Sequence, residues 1–184
     1  KPISVNLQEA YKMIDECKKN NVKLQIGFNQ RYWKQVEITK NLLKENFIGK
    51  IYSYRSVYSE KWNVYPATTQ YRYDLNQSGG ATIIDLAIHR IDLMRYLLGE
   101  YKSIVSEIKH SHIPSLVDDN VYILSNMVSG ATGIISSDRY SPAIGDSTDL
   151  YGTEGIIHFA TETINPFHNA PLAVYTEKKE EEIP

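Results

Sequence analysis

The sequence predicts an α+β domain, an open and predominantly antiparallel β-sheet with helices packed on one face, preceded by one helix–strand unit. After Gly99 the chain breaks into short β-like runs separated by Gly, Pro or Asp–Asn signals, as is typical of antiparallel strands with tight connections. These runs cover 102–109, 119–128, 131–139, 146–151 and 155–160. The stretch 78–99, SGGATIIDLAIHRIDLMRYLLG, is apolar on nearly every side and is therefore expected to form a buried helix.

The first element is a helix over 7–20, because Asn6 can cap it and apolar residues follow at helical spacing. Residues 23–28, KLQIGF, are then expected to form a strand. A helix and a strand with a short connection indicate a parallel α/β unit, here without the strand that would precede the helix. Residues 29–32 leave this predicted strand where α/β sheets bind ligands, although a plain capped loop explains them equally well.

A second helix is expected over about 32–46 and ends before Gly49. Residues 50–60, KIYSYRSVYSE, alternate with a period of two and predict a strand. A loop rich in Trp, Tyr and Thr (61–77) leads to the buried helix, and the charged tail EKKEEEIP is expected to be solvated.

The buried helix carries two polar residues that suggest chemistry. Asp85 and His89 are four positions apart, which places them on the same face of an α-helix. Gly79 and Gly80 let the backbone approach another group at the helix start, where N–H groups are unpaired. The pattern predicts an active site, and its structural alternative is a core histidine satisfied by a neighbouring acid.

Composition excludes several classes of function. With 20 basic and 22 acidic residues the charge is nearly balanced, which argues against a nucleic-acid partner. No apolar run reaches the roughly 20 residues that a membrane span needs. The single cysteine, Cys17, excludes an internal disulfide and favours a reducing, cytoplasmic location.

Several motifs occur together in one order. They are Lys1-Pro2, KLQIGFNQRY, IGKI, YRYDLNQSGGATIIDLAIHRIDLMRYLLGE, VDDN and YGTEGII. The most specific of them is GG-x4-D-x3-H-x2-D. In this order and spacing the chain resembles the carboxyl-terminal part of the Gfo/Idh/MocA oxidoreductases, which include glucose–fructose oxidoreductase and inositol dehydrogenase.

The resemblance implies two parts. Residues 1–28 would be the last helix and strand of an amino-terminal Rossmann domain, the rest of which is expected to precede Lys1. Residues 29–184 would be a substrate-binding and oligomerisation domain whose final elements are also expected to be missing. The implied activity is hydride transfer between NAD or NADP, bound mainly by the missing domain, and a sugar or polyol. A homodimer or homotetramer through the sheet is implied as well.

The resemblance also implies site residues. Lys1, Asp85 and His89 match the catalytic lysine, acid and histidine, and Lys1-Pro2 lies beside the nicotinamide. Asn29 and Gln30 fall where family members contact substrate, and Arg72 matches a frequent arginine before the glycine pair. Chemically, we expect His89 to be the acid/base, Asp85 to orient its imidazole, and Lys1 to stabilise the alkoxide.

Three alternatives remain. His110 and His112, with Asp118 and Asp119 nearby, could bind zinc, although no third ligand has a fixed spacing and no metal is expected. The chain could instead be a non-enzymatic sugar-binding or dimerisation module that uses the open sheet. A regulator that binds cofactor without turnover is disfavoured, because it has no need of Lys1, Asp85 and His89 together.

Overall fold

The structure is a computed structural model that describes residues 1–61, 71–111, 116–141, 145–160 and 171–177. These residues form a seven-stranded sheet in the order β2-β3-β4-β1-β5-β6-β7. The strands are β1 (Ile51–Ser59), β2 (Tyr101–Lys109), β3 (Asn120–Met127), β4 (Thr132–Asp138), β5 (Gly145–Gly152), β6 (Gly155–Phe159) and β7 (Leu172–Thr176). All neighbours are antiparallel except β1 and β4, which run parallel. The predicted open, mainly antiparallel sheet is confirmed, and the parallel pair makes it mixed.

Helices occupy the first half of the chain. They are α1 (Leu7–Lys19), α2 (Lys34–Lys44), α3 (Leu75–Ser78) and α4 (Ile88–Leu98), with single turns of 3₁₀-helix at Asn29–Tyr32 and Tyr71–Tyr73. The Asn6 side chain caps α1 by accepting from the Glu9 N–H at 2.9 Å, as its position in the sequence predicts.

The expected single helix over 78–99 is interrupted. The short helix α3 ends at Gly79, whose φ of +73° is the left-handed conformation that glycine tolerates best. A wide π-turn over Ile83–Ala87 then precedes α4. The α4 helix buries Leu93 and Met94, but it also buries several polar residues, so it is less uniformly apolar than the sequence suggests.

Residues 23–28 were expected to be a strand, and this prediction is wrong for the described structure. They join no strand of the sheet, and most of them are exposed. The physical reason is that a strand exists through its ladder of hydrogen bonds, and no described strand lies beside this segment. The preceding helix α1 likewise buries only Ala10.

One face of the sheet forms the core. Tyr54, Ile135 and Leu150 pack there against Leu93 and Met94 of α4. Glycine at 133 is required by this packing, because an added methyl group would overlap the Tyr54 ring opposite it. Among the described residues the helices therefore cover one face only, as predicted, and leave the other face open. Among the described helices none is long and apolar enough to cross a membrane.

Candidate active site

The chain before the π-turn is held by one carboxylate. Asp118, two residues before β3, accepts from the N–H groups of Ala81 and Ile83, each at 2.7 Å. Its carbonyl also accepts from the Thr82 hydroxyl at 3.1 Å. Gly80 allows this approach, since a Cβ there would come within 3.0 Å of the Asp118 carboxylate. The unpaired donors at the helix start are thus satisfied from the segment that leads into β3.

A cavity of about 200 Å³ opens beside this turn. The chain start, the 71–84 segment and the end of β4 line it, and its charged lining residues are Lys1, Arg72, Asp85 and Arg139. The Lys1 Nζ donates to Asp85 Oδ1 at 2.9 Å. Arg139 Nη2 donates to Asp85 Oδ2, and Arg72 Nε lies 3.8 Å from the same oxygen. The structure therefore brings together three sequence-predicted residues, with Lys1 and Arg72 beside the carboxylate of Asp85.

The three cations keep Asp85 ionised. Burial by itself would raise the pKa of this carboxyl group. The hydrogen bond from Lys1 and the charges of Arg139, Lys1 and Arg72 outweigh burial, so the pKa of Asp85 is lowered. The site therefore holds a carboxylate at neutral pH.

His89 lies next to this cluster but does not line the cavity. The residue is 6% exposed, and its imidazole contacts the rings of Phe28 and Tyr58 edge to face, with centroids 6.2 and 6.1 Å away. Burial, and then the positive charges of Lys1 and Arg90, lower the pKa of His89 to about 4. The imidazole is therefore neutral at pH 7.

The expected contact between Asp85 and His89 is not formed. No hydrogen bond joins them, and the buried Nδ1 of His89 has no partner among the described residues. The π-turn explains this, because the Ile88 N–H bonds to the Ile83 carbonyl five residues back and the extra residue breaks the i, i+4 alignment. The Asp85 carboxylate instead accepts hydrogen bonds from Lys1 and Arg139.

Asn29 and Gln30 lie away from the cavity lining. Asn29 is exposed, whereas Gln30 is buried and its Oε1 has no hydrogen-bond partner among the described residues. The next residue, Arg31, donates from Nε to Asp92 at 2.7 Å. Asp92, the last acid of the GG-x4-D-x3-H-x2-D motif, thus ties the 3₁₀-turn to α4.

Two residues of this cluster escaped the sequence analysis. Arg139 is buried and donates to Glu60 as well as to Asp85. Burial raises the pKa of Glu60; the Arg139 charge lowers it and the Asp85 charge raises it, and the net shift is upward. The only signal in the sequence is that each residue is the last of a predicted strand, and the parallel pairing of β1 with β4 places both at one edge of the sheet.

The described residues show no arrangement that fits the alternative zinc site. His110 is exposed, and His112 lies outside the described residues. The Asp118 carboxylate caps the backbone, and Asp119 Oδ2 accepts from the Ser111 N–H at 2.8 Å. Within the described part of the chain no group of three or more His, Cys, Asp or Glu side chains could hold a metal ion.

The family model for the GFO/IDH/MocA C-terminal domain matches residues 36–158. Levoglucosan dehydrogenase of Pseudarthrobacter phenanthrenivorans is 28% identical, over 88% of this chain and 48% of its own length. Myo-inositol 2-dehydrogenase of Thermotoga maritima is 31% identical, over 85% of this chain and 47% of its own.

Solved structures of similar proteins have the same fold as this chain. Levoglucosan dehydrogenase in complex with NADH and levoglucosan superposes with a TM-score of 0.80 at 26% identity, covering 95% of this chain and 49% of that one. The chain spans about half the length of the curated relatives it matches. Since the family model covers well over half of the chain, the resemblance predicted from the motifs is confirmed, and the protein belongs to the Gfo/Idh/MocA family, carrying its C-terminal domain.

Proposed function

We propose that this chain is the substrate-binding part of an NAD(P)-dependent oxidoreductase that acts on a CH–OH group of a sugar or polyol. The observation that carries the proposal is the Lys1–Asp85 ion pair inside a cavity, with a neutral histidine beside it. The named relatives, which act on levoglucosan and myo-inositol, support the substrate class.

The residues divide the chemistry between them. Oxidation of a carbinol needs a base for the hydroxyl proton and a positive group for the developing alkoxide. His89 is the proposed base, because its imidazole is neutral at pH 7 and its Nε2 or Nδ1 lone pair can accept a proton. Lys1 is the proposed stabiliser of the oxygen, held in place by Asp85. When bound, a nicotinamide supplies the acceptor for the hydride that leaves carbon.

The residues present fit only one end of such a cofactor. Lys1 and Pro2 line the cavity and would hold the nicotinamide ring near the carbinol. No G-x-G-x-x-G turn occurs in the sequence, so the pyrophosphate would be bound by the predicted Rossmann domain, of which residues 1–28 would be the last part.

Residues that line the cavity would bind most of the substrate hydroxyls. Arg72 faces it with a guanidinium that is 34% exposed and only loosely engaged by Asp85. Asn29 and Gln30 remain proposed substrate ligands, and the buried Oε1 of Gln30, which has no hydrogen-bond partner in the described part of the chain, supports a ligand there.

The test uses the complete polypeptide. NAD or NADP is titrated with levoglucosan, myo-inositol and related polyols, and turnover is followed as reduced cofactor. His89→Ala should lower kcat by about a hundredfold or more. The control is His110→Ala, which removes an exposed imidazole. Sugar binding without any turnover in the unmodified protein would favour the non-enzymatic module.

We further propose self-association through the open face of the sheet. Val105, Leu124 and Ile134 lie side by side there on three adjacent strands, and they are 70%, 49% and 49% exposed. An apolar row of this kind supports an interface there. Val105→Lys should convert a dimer or tetramer to smaller species in light scattering, whereas Val128→Lys, at an exposed valine outside the row, should not. A cytoplasmic location without nucleic-acid or membrane partners is part of the same proposal.

A further inference from the structure

Arg139 is a buried cation shared by two carboxylates. It follows β4 directly, and its side chain is 6% exposed. Nη1 donates to Glu60, which follows β1, and Nη2 donates to Asp85 in the π-turn. A planar guanidinium suits this bridging, since its donors diverge in a fixed geometry that an ammonium does not reproduce.

The sheet fixes the backbone position from which the Arg139 side chain extends. The Arg139 N–H donates to the Asp119 carbonyl at 2.9 Å, and the Glu60 N–H donates to the Asp138 carbonyl at 3.1 Å. Both bonds extend the pairing of β4 with its neighbours past the end of the strands. Arg139 and Glu60 are therefore anchored to the sheet, while Asp85 belongs to the helical layer.

The two oxygens of Asp85 have different partners as a result. Oδ2 accepts from Arg139, and Oδ1 accepts from Lys1 at 2.9 Å. A carboxylate held on one side by a sheet-anchored cation presents its other oxygen in a defined direction. The position of the Lys1 ammonium thus depends on Arg139 through Asp85.

Arg139 also separates two like charges. Without it, Glu60 and Asp85 would be neighbouring carboxylates with burial acting against both. One of them would then take up a proton or turn away, and Lys1 would lose its fixed partner.

We infer that Arg139 is a positioning residue of the proposed reaction, which holds Asp85 so that Asp85 places the Lys1 ammonium in the cavity, with Glu60 steadying Arg139 from the other side. The inference rests on the proposed function for its kinetic consequence. The hydrogen bond by which Arg139 holds Asp85 does not depend on the proposed function.

The kinetic test uses Arg139→Gln in the complete protein. We expect kcat to fall by about tenfold or more, because Lys1 is no longer well placed. The acid limb of the pH profile should move to higher pH, since Asp85 and Glu60 lose a neighbouring cation. Arg139→Gln combined with Glu60→Gln should recover part of kcat, because the repulsion is then removed. Arg95→Gln, which breaks an exposed pair with Glu100, is the matched control.

A second measurement is independent of activity. Carboxyl ¹³C NMR follows the titration of Asp85 in the unmodified protein and in Arg139→Gln, with Arg139→Met, which also removes the cation, in reserve if the first variant does not fold. A higher pKa of Asp85 in the variant supports the inference even if the protein shows no dehydrogenase activity, which would overturn only the proposed function. An unchanged titration of Asp85, or an equal kcat loss in the single and double variants without a shifted pH limb, overturns it.

Discussion

The ammonium of Lys1 donates to the carboxylate of Asp85 at 2.9 Å, although 84 positions separate the two residues. The bond joins the start of the chain to the π-turn before α4 inside the cavity. A charge placed in this way can act on a substrate oxygen only if its carboxylate partner stays ionised and in position.

Asp85→Asn tests this relationship. The amide keeps the shape of the side chain but removes the charge that holds Lys1, so we expect kcat of the complete protein to fall on the order of a hundredfold. Steady-state kinetics with the best polyol substrate measures it. Glu100→Gln, an equivalent change in the exposed pair with Arg95, should leave kcat unchanged. Full activity in Asp85→Asn would remove Asp85 from the proposed site.

The pKa of His89 predicts a pH-dependent stability. Its folded-state pKa of about 4 lies below its reference value of 6.5, so the unfolded chain binds more protons between these two pH values. The stabilising contribution is present above pH 6.5 and is lost as the pH falls towards 4, by about 3 kcal/mol in total. Urea unfolding at several pH values, compared with the same series for His89→Gln, isolates this contribution. Identical pH dependence in the two proteins would contradict the lowered pKa.

Gly133 is expected to tolerate no side chain. In Gly133→Ala the new methyl group meets the Tyr54 ring, which is itself buried and hydrogen-bonded to Ser125. We expect a loss of roughly 2–3 kcal/mol in the free energy of unfolding, the cost of overpacking a core. Gly145→Ala is the control, because its Cβ would meet Ser59 at an ordinary 3.6 Å. Thermal and urea unfolding distinguish the two variants, and equal stability would show that the ring can move.

Arg90 and Asp146 form a fully buried ion pair between α4 and β5. Arg90→Met removes the cation that Asp146 faces, so we expect a loss of about 3 kcal/mol in the free energy of unfolding. Arg90→Met with Asp146→Leu should recover most of it, because no charge then remains buried. Arg95→Met, at the exposed pair, should cost at most about 0.5 kcal/mol. A double variant no more stable than Arg90→Met would contradict this interpretation, and urea unfolding decides it.

Much of the local structure follows from the sequence alone. The Asn6 cap, the alternation over 50–60 and the short runs after Gly99 predict helix and strands correctly, because capping and side-chain periodicity act over a few residues. The strand expected over 23–28 fails for the complementary reason, since a strand also needs a neighbour. The ordered set of motifs, of which GG-x4-D-x3-H-x2-D is the most specific, indicated the family that the family model confirms.

The assembly of the candidate site was decided by tertiary structure. Glu60 and Arg139 come together because β1 and β4 run parallel and end at one edge of the sheet, a pairing between strands that lie far apart in the sequence. Asp85 turns from His89 to the cations because a π-turn breaks the helical spacing and because Arg139 reaches it across 54 positions. The sequence alone predicted most of the helices and strands, and the resemblance implied that Lys1, Asp85 and His89 match the family's catalytic residues. Strand order and charge placement decided which of them meet, because ion pairs depend on distances in space that local patterns do not encode.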